Sequence, residues 1–196
     1  MRILILSLLV IVCGCKNRTD KYNGFQKLPE TLDAKPDSLR YLPPIEYMEF
    51  GDVRLNGKIS LRCRLEDLYE VLGQPDSVYG TLDYCVTAFA QDTAYYAHFD
   101  DTVAEISKDS ADVSSIDVRN GKARLVHPDF VLDRHTTLES LRKRFPKAVA
   151  NAQTVNTIIG DALLINLNVS KEPGDFEWAL LFQKGKLIRI DLNTPC

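Results

Sequence analysis

Val53-Arg54-Leu55-Asn56-Gly57-Lys58, running on through Leu65-Glu66-Asp67-Leu68-Tyr69-Glu70-Val71-Leu72-Gly73-Gln74-Pro75, decides the fold, because a similar pattern returns about 65 residues later. The second copy reads Val118-Arg119-Asn120-Gly121-Lys122, then Leu138-Glu139-Ser140-Leu141-Arg142-Lys143-Arg144-Phe145-Pro146. Each copy reads as a strand, an Asn-Gly turn, a strand and a short helix stopped by proline, with strand-like segments after it. Asn-Gly tolerates the positive φ angles of a two-residue hairpin. Leu65, Leu68, Tyr69 and Leu72 stand at i, i+3, i+4 and i+7, one apolar helical stripe. Gly73 supplies a left-handed cap and Pro75 forbids continuation. Helices this short do not hold themselves together in water, so each must lie on a sheet. The expected fold is therefore α+β: two tandem units, each an antiparallel sheet with a short helix packed on one face.

The first unit is placed at residues 45–118. Ile45 to Phe50 and Val53 to Leu61 form its opening hairpin, and further strands fall at Tyr84 to Phe89, Thr93 to Phe99, Val103 to Ile106 and Val113 to Val118. Alternation puts Tyr95, Ala97 and Phe99 on the core side and Tyr96 and His98 opposite. The second unit is placed at 119–196, with strands at Lys122 to Val126, Phe130 to Leu132, Leu163 to Val169, Phe176 to Phe182 and Leu187 to Leu192. Thr136 and Glu139 are spaced as a capping box for its helix. Phe176, Trp178, Leu180 and Phe182 alternate with Glu177 and Gln183, so one face of this sheet should be buried and the other not.

Ahead of the first unit, Met1-Arg2 and the apolar run Ile3 to Val12 have the layout of a secretory signal, too short for a mature membrane span. Val12-Cys13-Gly14-Cys15 resembles a bacterial lipobox, which implies a leader over residues 1–14 and a lipidated Cys15. Acyl chains contribute about 0.8 kcal/mol per buried CH2, so several on one cysteine hold a protein on a membrane. Residues 15–44 are polar, carry Pro29, Pro36, Pro43 and Pro44, and read as a tether with a reach of roughly 30 Å. The chain is 45% hydrophobic and 26% charged, with a formal net charge of −3. That is ordinary for a globular protein and gives no reason to expect a nucleic-acid partner.

The short helix ending in Leu72-Gly73-Gln74-Pro75, preceded by a hairpin and followed by a meander, resembles the unit of the β-lactamase-inhibitor-protein type of fold and of the SmpA/OmlA outer-membrane assembly lipoproteins. The likeness rests on Leu65, Val71, Leu72, Gly73 and Pro75, and on Leu138, Leu141, Phe145 and Pro146, where Phe145 stands in place of the glycine. It implies helices packed on one face of an antiparallel sheet. Asp37-Ser38-Leu39, Asp76-Ser77-Val78, Asp92-Thr93-Ala94, Asp101-Thr102-Val103 and Asp109-Ser110-Ala111 are similar to O-glycosylated triplets of exported Bacteroidetes proteins.

Residues that could carry chemistry are few. Cys63 and Cys85 could bridge the helix start to the next strand, or Cys85 could be a small core residue and Cys196 a frayed end. His98, His127 and His135 lack metal-ligand spacing. His127-Pro128-Asp129 with Asp133-Arg134-His135 is either half a metal or acid–base site or loop punctuation. Arg142-Lys143-Arg144 with Lys147 suits either a helix C-terminus or anionic lipid headgroups. No cofactor is expected.

The expected function is a non-catalytic, membrane-anchored protein of the bacterial cell envelope, periplasmic or surface-exposed, that binds another protein as an assembly factor or inhibitor. Its exposed sheet face would include Tyr96, His98, Asn166, Asn168, Glu177, Arg189 and Asp191. The alternative is a small-ligand or glycan binder using a groove between the two units, lined by tyrosine and tryptophan.

Overall fold

The computed structural model describes residues 45–80, 94–172 and 174–193. It is mixed helix and sheet, mostly antiparallel strands with three α-helices. Residues 43–196 make one compact unit. Among the described residues, no helix is long and apolar enough to cross a membrane.

The opening segment departs from the expected hairpin. Tyr47 makes one parallel bridge to Asn168, and the Met48 and Phe50 N–H groups donate to Asn168 O and Val169 O, each at 2.9 Å. A 3-10 turn at Phe50–Asp52 leads to β1 (Arg54–Leu55). Asn56 and Gly57 do take positive φ, 54° and 74°, but the hairpin shrinks to a single Leu55–Ile59 bridge. Long-range bonds decide this. Asn56 exchanges side-chain bonds with Lys122 O and Arg124 N–H, both at 3.0 Å, and β1 pairs with β7 (Leu125–His127), which pairs with β8 (Phe130–Leu132) in a three-stranded sheet. The second Asn-Gly likewise closes a turn, with Gly121 at φ 76°, without joining two paired strands.

β2 (Arg62–Arg64) leads straight into α1, whose bounds Leu65–Leu72 match the expected stripe. Leu68 is fully buried, and Leu65, Tyr69 and Leu72 pack against the same cluster. Gly73, at φ 89°, closes the helix by donating its N–H to Tyr69 O at 2.9 Å. A meander follows: β3 (Ser77–Gly80), β4 (Tyr95–Phe99), β5 (Thr102–Ser107) and β6 (Ser110–Asp117). β3 was not foreseen, and the expected Tyr84 to Phe89 strand lies outside the described residues. Ala97 and Phe99 are buried as expected, whereas Tyr95, at the strand's end, is exposed. Thr102 is buried and its Oγ1 accepts the Asp117 N–H at 3.2 Å, so the Asp101-Thr102-Val103 triplet is strand interior rather than an accessible glycan acceptor.

α2 (Leu138–Arg144) begins one residue later than expected, with Thr137 in place of Thr136 as its cap. Thr137 and Ser140 form the capping box, because Thr136 is buried and its Oγ1 accepts the Asp133 N–H at 3.0 Å. Pro146 ends α2 and also opens α3 (Pro146–Ala150), since its missing N–H is no loss at a first helical position. β9 (Gln153–Thr157), β10 (Gly160–Asn168), β11 (Glu177–Gln183) and β12 (Lys186–Asn193) follow; β9 was not foreseen, and the Lys184-Gly185 turn was.

The main sheet runs β3-β4-β5-β6-β12-β11-β10-β9, with β2 also paired to β6. All three helices lie on one face, where Leu68, Leu141 and Val149 join a single cluster with Trp178, Leu180, Ile190, Ile116 and Ala104. The other face is not wholly open. Ala162, Leu181 and Ile188 are buried there, packed with Val155 and Leu164, so β11 is covered on both sides along its middle.

Candidate functional site

Antiparallel partners share a face. The register therefore draws one row across the sheet opposite the helices: Ser77, His98, Val103, Ser115, Asp191, Ala179 and Asn166. Arg189 lies in the adjacent row beside Asp117 and Leu181, and Glu177 and Asn168 lie together in the row on the other side. Tyr96 pairs with Tyr79 and Glu105. All seven residues singled out from alternation thus share this face, but they do not form one cluster. Asn168 is spent where the chain joins the sheet, its Nδ2 donating to Glu46 O at 3.4 Å. Asn166 sits apart, over a shallow hollow beside Ala148 and Gln153. His98, Arg189 and Asp191 lie at or beside the centre, where a groove of about 220 Å³ crosses the β5-β6-β12-β11 strands.

The groove has an apolar floor of Val103, Leu181 and Ile188, with His98, Asp101, Asp117, Arg119 and Arg189 as charged or polar walls. Thr157, Ile158 and Ile159 from the β9–β10 turn close one side. Ile158 is 102% exposed and Ile159 42%, an adjacent pair of aliphatic side chains left in solvent. Among the described residues no tyrosine or tryptophan lines the groove, and Trp178 is buried beneath the opposite face.

Two β-bulges build this place. The register slips between Leu181 and Phe182, leaving Ile188 as an extra residue of β12, and slips again between Val103 and Ala104, leaving Ser114 as an extra residue of β6. A bulge re-aims the side chains after it. Consequently Ile188 joins the groove floor although strict alternation with Ile190 and Leu192 would send it to the core.

The walls are tied by charge. Arg119 donates through its backbone N–H and Nε to Asp117 at 2.8 and 2.7 Å, and through Nη2 to Asp101 at 2.6 Å. Asp191 accepts from Ser115 Oγ at 2.6 Å and from Arg189 Nε at 2.9 Å. Burial pushes the Asp191 carboxyl above its ordinary range, against the opposing pull of Ser115 and Arg189. The bond to Asp117 holds the Arg119 guanidinium still more firmly protonated.

A raised carboxyl pKa means that the folded state holds this proton at pH values where the unfolded chain has lost it. Asp191 therefore favours folding less as pH climbs above 3.8, the ordinary aspartate value, through its raised pKa. Asp191→Asn should remove that slope, making the variant gain stability relative to the wild type between pH 4 and pH 7. Urea midpoints at both pH values read this directly. An equal difference at the two values would show that Asp191 titrates normally.

The histidine constellation does not converge. His127 Nδ1 accepts the Asp129 N–H at 3.2 Å while its ring stacks on Phe130 at 4.5 Å, and His135 Nε2 accepts from Arg134 Nε at 3.2 Å. Asp133 accepts the His135 and Thr136 N–H groups at 2.8 and 3.1 Å. These residues close their own loop, and no group of three or more His, Cys, Asp or Glu among the described residues is arranged to hold a metal. Cys63 is a free, half-buried thiol, pushed up to about 11 by burial and then by Asp67 and Asp112. Cys15, Cys85 and Cys196 lie outside the described residues.

The sequence reasoning missed Asp101, Asp117, Arg119, Ile158 and Ile159. Ser115 and Asp117 alternating with Ile116 and Val118 was the legible signal for β6, and Ile158-Ile159-Gly160, an apolar pair before a turn glycine, was the signal for the rim. Compared with known protein families, curated proteins and solved structures, the chain matches none.

Proposed function

We propose that this chain is a non-catalytic lipoprotein of the bacterial cell envelope, anchored through Cys15, whose sheet face opposite the helices binds another protein as an assembly factor or inhibitor. The observation that carries this reading is the apolar-floored groove with Ile158 and Ile159 exposed at its edge. Interfaces are anchored by a few large side chains that lose all their water, surrounded by polar groups that set orientation. Here the aliphatic pair would be the anchor, and Arg119, Asp101 and His98 the polar rim. The strand order supports the tandem arrangement that goes with it. α1 precedes the run β3–β6, α2 and α3 precede the run β9–β12, and the two runs meet antiparallel through β6 and β12.

The test is a photo-crosslinking residue placed at Ile158 in cells making the full chain, with the same residue at Lys58 as control. A discrete higher-mass adduct from Ile158 alone is expected, and Ile158→Asp with Ile159→Asp should weaken capture of that partner tenfold or more, about 1.4 kcal/mol. Identical products from both positions, or none from Ile158, would defeat the reading.

A further inference from the structure

We infer that the corner formed by α2, α3 and the first described residues is a face that rests on anionic lipid. Arg142, Lys143, Arg144 and Lys147 fall within six consecutive positions. Arg142 and Lys143 are exposed, with Lys143 Nζ 3.4 Å from Glu139. Arg144 lies over the Phe130 ring at 4.4 Å and donates to Asp129 O at 3.3 Å. The helix dipole favours cations in the last turn of α2, but α2 has seven residues and runs through Phe145 directly into α3. That accounts for the sign of these charges and leaves their surroundings unexplained.

The surroundings come from the chain's opening. Glu46 accepts the Lys147 and Ala148 N–H groups at 3.1 and 2.8 Å, so the segment that follows residues 1–44 is pinned to the start of α3. The Glu46 charge is thereby used on the helix N-terminus. On either side of it Ile45 and Tyr47 are exposed. An aliphatic and an aromatic side chain thus share this corner with four cations, at the point where the chain arrives from its anchor. Tyrosine suits the level of the headgroups, and Lys and Arg suit the phosphates. The inference builds on the anchor read at Cys15, which would hold the chain at high local concentration over the bilayer, where even weak contact is populated.

Residues 43–196, a compact unit with a core of its own, can be tested free of the anchor. The probe is vesicles of phosphatidylcholine alone or with about one-third phosphatidylglycerol, read by co-sedimentation at low salt, with circular dichroism checking each protein's fold. Binding is expected to the anionic vesicles only and to be reversed by salt. Each cation near the surface is worth about fivefold, so Arg142→Gln with Lys143→Gln should weaken partitioning about thirtyfold. The control pair Lys58→Gln with Lys108→Gln carries the same charge change and should stay within about twofold of the parent. No preference for anionic vesicles, or equal losses in the two pairs, would overturn the inference. The anchor is judged separately, by the intact mass of the mature chain, so the two ideas can fail independently.

Discussion

Trp178→Ala is expected to destabilise the fold by about 3–5 kcal/mol, measured as a shift of the urea midpoint followed by circular dichroism. Trp178 is buried near the start of β11, stacks with Phe50 at 5.8 Å between ring centres, and donates Nε1–H to Met48 O at 2.7 Å. It therefore both fills the core and fastens the opening segment to the sheet. Trp178→Phe separates these roles. The aromatic volume largely remains while Met48 O loses its donor, which should cost about 1–3 kcal/mol. Because this is the chain's one tryptophan, its fluorescence vanishes in both variants and the backbone signal must be used. A loss below about 1 kcal/mol for Trp178→Ala would mean that the opening segment is not held as described.

Leu68→Ala is the second large effect, about 2–5 kcal/mol, because a buried leucine loses both its transfer energy and the contacts around the resulting cavity. Leu68 is the one residue of α1 that is fully buried, and it reaches the same cluster as Val113 and Phe99. Leu72, further along the stripe, is only partly buried and should lose less on the same change. Tryptophan fluorescence during thermal unfolding reads both variants. Equal small losses at the two positions would mean that α1 is not docked on the sheet.

The stripe of α1, the glycine and proline that end it, the Lys184-Gly185 turn and most strand positions were legible because each depends on neighbours a few residues away. The hairpin expected at Asn56-Gly57 failed for the opposite reason: Asn56 finds better partners at Lys122 and Arg124, which no local pattern reveals. β9 and β3 were missed because β9 is mostly polar and β3 is a four-residue strand whose Val78 and Tyr79 are both exposed, so neither leaves a clean apolar alternation. The same division holds for the candidate site. Period-two alternation was enough to put His98, Arg189 and Asp191 on the face turned from the helices. It could not bring in Ile188, whose side is set by a bulge, nor Ile158 and Ile159, whose exposure depends on how the β9–β10 turn stands over the sheet.

By itself, then, the sequence determined α1, its stop, and the sidedness of the strands, since chain geometry makes side chains repeat every 3.6 or 2 residues whatever surrounds them. The tertiary structure alone decided that β6 meets β12, that the half-buried Asp191 is held between Ser115 and Arg189, and that a groove lies where the bulges fall. Strand pairing joins residues as far apart as Ser115 and Asp191, and the choice among such partners is made by burial of the whole core, a sum over many side chains that no short stretch contains.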